Sequence, residues 1–231
     1  MSFANASERL AYFIDAARSE RDAQRGSPRL AAQMTFKAWQ SRRLANMHAD
    51  LRASDRYGPA VEFFLNELYA PKDFGQRDAE LARVLPVMTR FLPEKALDTL
   101  ADAAEMDALS ESLDVAMVDA VERDVGVKAL DGAAYGRAWR KVGRRDERAL
   151  QVELVGRIGA ALDHLTRVPL IGATLRMMRG PAHMAGLAEL QHFLESGFAA
   201  FKHMGRADEF LVRILARENE YMNTLFTGGD G

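Results

Sequence analysis

Three polar residues interrupt the apolar stripes of this 231-residue chain where a side chain could do chemistry: His48, His183 and Glu218. On a helical wheel His48 falls between Leu44 and Leu51, and His183 points near Leu187, Leu190 and Leu194. Glu218 sits centrally among Leu211, Ile214, Leu215, Met222 and Leu225. A carboxyl with such neighbours needs a basic or donor partner, or must keep its proton. The three have two readings. One is a satisfied buried hydrogen bond or ion pair. The other is the polar floor of a pocket, providing a ligand contact, a metal ligand or a haem ligand. Haem would use His48 or His183 in an apolar slot.

A second constellation is Glu189 with His192. Carboxylate-bridged di-iron proteins need two such Glu-x-x-His pairs plus two further inward carboxylates. One pair is present here. At 100° per residue it lies opposite the stripe of Leu187, Leu190, Leu194, Phe198 and Phe201, so a solvated face is expected. His203 shares that face, but about 16 Å further along the helix, too far to share one metal.

Other chemistries lose their usual support. With no cysteine there are no disulfides, thiolate metal sites or cysteine nucleophiles. Neither phosphate-binding glycine pattern occurs, nor the nucleophile elbow around serine. Net charge is −2, and the basic spots Arg42-Arg43 and Arg144-Arg145 with Lys141 are small. No nucleic-acid partner is expected. The start at Met1 lacks a basic region followed by an apolar stretch, and uncharged runs such as Val168 to Leu175 are too short to span a bilayer. The expectation is no membrane and a cytoplasmic address.

The elements that must position these residues are helices. Ala, Leu, Arg, Glu and Met dominate, and no strand-like alternation occurs. The stripes predict helices from Ser7 to Ser19 and from Ser27-Pro28 to Arg52. Further helices are expected from Ala60 to Tyr69, and from an Asp73–Gln76 capping box through Pro86, with Phe74 as a staple. A helix from Pro93 to Arg123 is long enough for a break near Glu105. A short helix holding Tyr135 and Trp139 follows, then one from Asp146 to Arg167, and a short one with Ile171, Leu175 and Met178. Gly180-Pro181 is read as starting the next, which ends at Gly205, and the last runs from Ala207 to Phe226. Phe63 and Trp39 point outward on the wheel. Either their helices are buried on two sides, or they form a patch that pairs with a second copy.

The run Phe63-Phe64-Leu65-Asn66-Glu67-Leu68-Tyr69-Ala70-Pro71-Lys72-Asp73-Phe74-Gly75-Gln76-Arg77-Asp78 resembles the signature of an uncharacterised bacterial all-helical family. So does Phe193 to Phe201, followed by Phe210-Leu211 and Arg217-Glu218. The resemblance implies a small all-α cytoplasmic protein without assigned catalytic residues. It draws attention to Tyr69, Asp73, Arg77 and Asp78 as loop or interface candidates, with Phe63.

The sequence thus predicts an all-α, single-domain bundle of about eight to ten helices, with any lobe boundary near 126–132. Function is read as a binding or interaction module: a homo-oligomer, or a host for a small apolar ligand in the core. The alternative is a metal- or haem-dependent helical enzyme using a buried His/Glu cluster.

Overall fold

α6, Glu94–Glu122, is the longest helix of the described residues and the spine of one part of the bundle. The structure is a computed structural model describing residues 3–67, 70, 72, 75–91 and 94–230. In chain order the preceding helices are α1 (Ala6–Gln24), α2 (Arg29–Met47), α3 (Ala49–Arg52), α4 (Gly58–Glu67) and α5 (Gly75–Phe91). After α6 come a 3₁₀ turn (Val127–Ala129), α7 (Gly132–Val142), α8 (Arg145–Leu165), α9 (Ile171–Met184), α10 (Ala188–Met204) and α11 (Asp208–Phe226). The described residues contain helices and no strand. The fold is a single all-α domain, with eleven α-helices among the described residues where eight to ten were expected.

The first half of α6 packs on α1 and α5 through Leu97, Ala101 and Ala104 against Leu10 and Ile14. Its second half packs on α2, α7 and α11, where Met117, Val118 and Val121 meet Phe36, Tyr135, Trp139, Met222 and Leu225. A third apolar cluster joins α3, α4, α10 and α11 through Leu51, Val61, Phe63, Phe201, Met204 and Phe210. α8 lies between α6 and α11. Its Gly156 and Gly159 leave room for Leu215 and Leu211 of α11, so the two backbones approach closely.

α6 runs unbroken past Glu105. Its mid-helix carboxylates do not disrupt it, because cations from neighbouring helices neutralise them. Arg9 bonds Asp102 and Glu105, Arg157 bonds Asp102, and Arg21 and Lys37 bond Glu111. The helix expected to reach Arg52 is instead interrupted at His48, whose backbone leaves helical geometry (φ −109°, ψ 25°) before α3 begins.

Gly180-Pro181 does not begin a helix. Pro181 falls in the last turn of α9, where only the missing bond to one preceding carbonyl is lost. The stop is Gly186, in the left-handed region at φ 66°. The Leu187 N–H donates to Ala182 O at 2.8 Å and the Gly186 N–H to His183 O at 3.0 Å, a Schellman closure. α5 clamps this turn. Arg83 donates to the carbonyls of Ala185 and Gly186, and the buried Glu80 accepts the Leu190 N–H at 2.8 Å in the first turn of α10. With α10 starting later than expected, its buried face carries Gln191, Gly197, Ala200, Phe201 and Met204, while Leu194 is exposed.

Phe63 does not face outward. It is buried on the bare backbone of α10 at Gly197, with its ring 5.5 Å from that of Phe193 and 5.7 Å from that of Phe64. Trp39 is half-buried and stacks on Tyr135 at 4.6 Å. A Cβ at position 197 would stand 2.8 Å from the Phe63 Cζ. Gly197→Ala is therefore expected to cost about 1–2 kcal/mol, net of alanine's better helix propensity. Adding Phe63→Leu should recover part of the loss. Denaturant melts check this, and a Gly197→Ala protein more stable than wild type would contradict the packing described.

Candidate functional site

The break after α2 puts His48 where it can reach α11. His48 is 5% exposed, and its Nε2 lies 3.1 Å from Glu218 Oε1. The preceding residue of α11, Arg217, holds Asp50 by two hydrogen bonds of 2.6 and 2.7 Å and donates to the Met47 carbonyl. That pairing keeps the Asp50 carboxyl well below the usual aspartate range. Together these contacts clamp the α2–α3 junction to α11.

His183 does not join the pair. It is exposed in the last turn of α9, a helix packed against α10. The expectation that it shares a stripe with Leu187, Leu190 and Leu194 fails because the turn at Gly186 puts those leucines outside its helix. Glu189, His192 and His203 are exposed. His203 approaches the Asp55 carbonyl at 2.7 Å, and His192 stands 3.8 Å from Glu67. Among the described residues no three His, Asp or Glu side chains are placed to hold a metal ion, and no helix is long and apolar enough to cross a membrane.

Of the loop candidates, Arg77 lies in α5, donates to the Glu67 carbonyl at 2.9 Å and stands over the Phe193 ring. It links α4, α5 and α10. Tyr69 and Asp73 lie outside the described residues, as do Phe74 and the side chain of Asp78.

Beside the His48–Glu218 pair stands a polar centre that the apolar stripes did not reveal. Gln40 of α2 donates to Asp114 Oδ1 at 2.7 Å and accepts from the Tyr135 hydroxyl at 3.2 Å. The Arg43 guanidinium lies over the Tyr221 ring at 4.4 Å and within 5.8 Å of the Tyr135 ring. The Arg148 guanidinium lies over the Trp139 ring at 3.4 Å. Burial dominates the electrostatics. It holds the Tyr135 phenol above the usual tyrosine range and lowers Arg148 to about 10. Asp114 keeps some accessible surface, yet protein surrounds it deeply enough that burial raises its carboxyl to about 6, against the opposing charge of Lys37. Arg43 adjoins Leu44 and Arg148 stands two residues before Leu150, yet as charged residues neither belongs to an apolar stripe. Only the register of α2 against α7, α8 and α11 brings them together.

Two outcomes follow. Glu218→Leu leaves the buried His48 ring without its partner and should cost about 1–3 kcal/mol, most of it recovered by adding His48→Leu. A double-mutant cycle with no coupling would contradict the pairing. For Asp114, an ordinary aspartate titrates near 4 in the unfolded chain. Between about pH 4 and pH 6 the folded protein therefore keeps a proton that the unfolded chain has lost. Stability present below this window falls as pH rises through it. Asp114→Asn, which cannot titrate, should accordingly gain in melting temperature relative to wild type on going from acid to neutral pH. A difference independent of pH would contradict the assignment.

The model of a family described as a domain of unknown function, DUF8198, matches residues 19–230 of the chain. No curated protein and no solved structure matches it.

Proposed function

The chain belongs to this DUF8198 family, whose description names no activity, and from its own surface we propose that it is an interaction module that pairs with a second copy of itself through α9. The observation that carries this is a row of bare apolar side chains. Leu170 is 78% exposed, Met177 72% and Met184 83%. Met177 and Met184 stand two turns apart on one face of α9, about 10 Å along its axis, and Leu170 lies at the head of the helix. Val168, Met178 and Leu194 widen the row, while α9 itself buries only Ala182, packing on α10. Seven-residue spacing is the period at which one helix lies along another.

Charge supports a second copy as the occupant. Residues 164–188 contain no Asp or Glu and three arginines, Arg167, Arg176 and Arg179. Two of these are already neutralised within the chain: Arg167 by Asp163, and Arg179 by a forked contact with Glu195. The face is close to neutral, and two copies meet there with little repulsion. Leu170 adds a second sign. Its backbone is left-handed at φ 70°, costly for a branched side chain, at the position that heads the row.

Light scattering on the purified protein tests this. A dimer is expected, and Met177→Asp with Met184→Asp should return a monomer of unchanged helicity. Each substitution occurs twice in a two-fold interface, so the dissociation constant should rise more than about 100-fold. A monomeric wild type would overturn the proposal, as would a dimer indifferent to both changes.

A further inference from the structure

We propose that the polar centre between α2, α7, α8 and α11 is a binding site for a small oxyanion or carboxylate, held by Arg148 and Trp139. Arg148 is 4% exposed and Trp139 8%. The Arg148 Nε donates to the Gly143 carbonyl at 3.1 Å, but its Nη2 is buried with no hydrogen-bond partner. The indole Nε1 of Trp139, the ring on which that guanidinium stacks, is likewise buried with no partner. Two unmet donors on two stacked groups, one of them a cation, call for an acceptor carrying negative charge.

The chain's own carboxylates do not supply it. Glu147 is bonded to Arg144, and Asp114 is engaged by Gln40. Both act on Arg148 only at a distance. Elsewhere in the interior the buried carboxylates Asp102 and Glu111 each have cations bonded to them. Arg148 is the reverse case: a buried cation without a bonded anion among the described residues.

The surroundings narrow the ligand class. A second guanidinium, Arg43, faces the same group of rings, with Tyr135 and Tyr221 centred 5.7 and 6.4 Å from Trp139. Two cations among aromatic walls suit a small planar carboxylate or a compact phosphate. The site is distinct from the exposed α9 face, so the two proposals stand or fall separately.

The chain has two tryptophans, and both belong to this ring cluster, since Trp39 stacks on Tyr135. Intrinsic fluorescence therefore reports on the site. Titration with benzoate and with inorganic phosphate, at ionic strength matched with chloride, should give a saturable change and a raised melting temperature with at least one of them. Trp139→Phe and Arg148→Lys should each weaken that binding more than tenfold while circular dichroism stays unchanged. Preference for one probe identifies the source, planar carboxylate or phosphate. The proposal is overturned if neither probe gives a saturable response, or if both variants bind as wild type does. It is also overturned if Arg148→Met is more stable than a wild type that binds nothing.

Discussion

A charge taken out of water must be matched, and α6 shows how much of this fold answers that demand. Asp102 and Glu111 lie buried on the longest helix of the described chain. Left alone, each would destabilise the bundle by several kcal/mol. Arg9 and Arg21 of α1, Lys37 of α2 and Arg157 of α8 neutralise them. The contacts run in the same order along both helices, from Ala6 with Glu94 through Arg9 with Asp102 to Arg21 with Glu111, so α1 lies parallel to α6. Sliding either helix by a turn would separate all of these pairs together. The pairs therefore specify register, while the apolar clusters supply most of the favourable free energy.

Arg148 departs from this pattern: it is a buried cation with no bonded carboxylate among the described residues. The His48–Glu218 pair is complete at one nitrogen, and it pins the α2–α3 junction to α11. That junction and the register of α7 and α8 bring Arg43 and Arg148 to one ring cluster. The outside of the molecule follows a different logic. α9 stands apart from the spine, held at its end by Arg83 and along its length by α10, and presents its longest apolar side chains to solvent. The apolar row on α9 is the face that the proposed pairing would cover.

Much of the architecture was legible because stripes of Leu, Met and Phe repeat at helical period along nearly every segment. The inward direction of Glu218 and the outward direction of Glu189 and His192 were legible for the same reason. What was not legible depended on tertiary partners. Phe63 reads as exposed until the bare backbone of Gly197 is placed beneath it. The burial of Asp102 and Glu111 has no sequence signal, because Arg9, Arg21, Lys37 and Arg157, which match them, come from other helices. The start of α10 was misplaced because Gly180-Pro181 is a strong local signal, whereas the true stop at Gly186 is fixed by Arg83 and Glu80 of α5. Arg148 and Trp139 gave no signal at all, since a stacked pair from two different helices has no sequence period.

That Arg148 and Trp139 together hold an anion is tested most directly by a high-resolution crystal structure of the protein grown with phosphate and benzoate. The account predicts density for one of these anions within hydrogen-bonding distance of both Arg148 Nη2 and Trp139 Nε1. A lone water there, or one of the chain's own carboxylates turned onto Arg148, would contradict it.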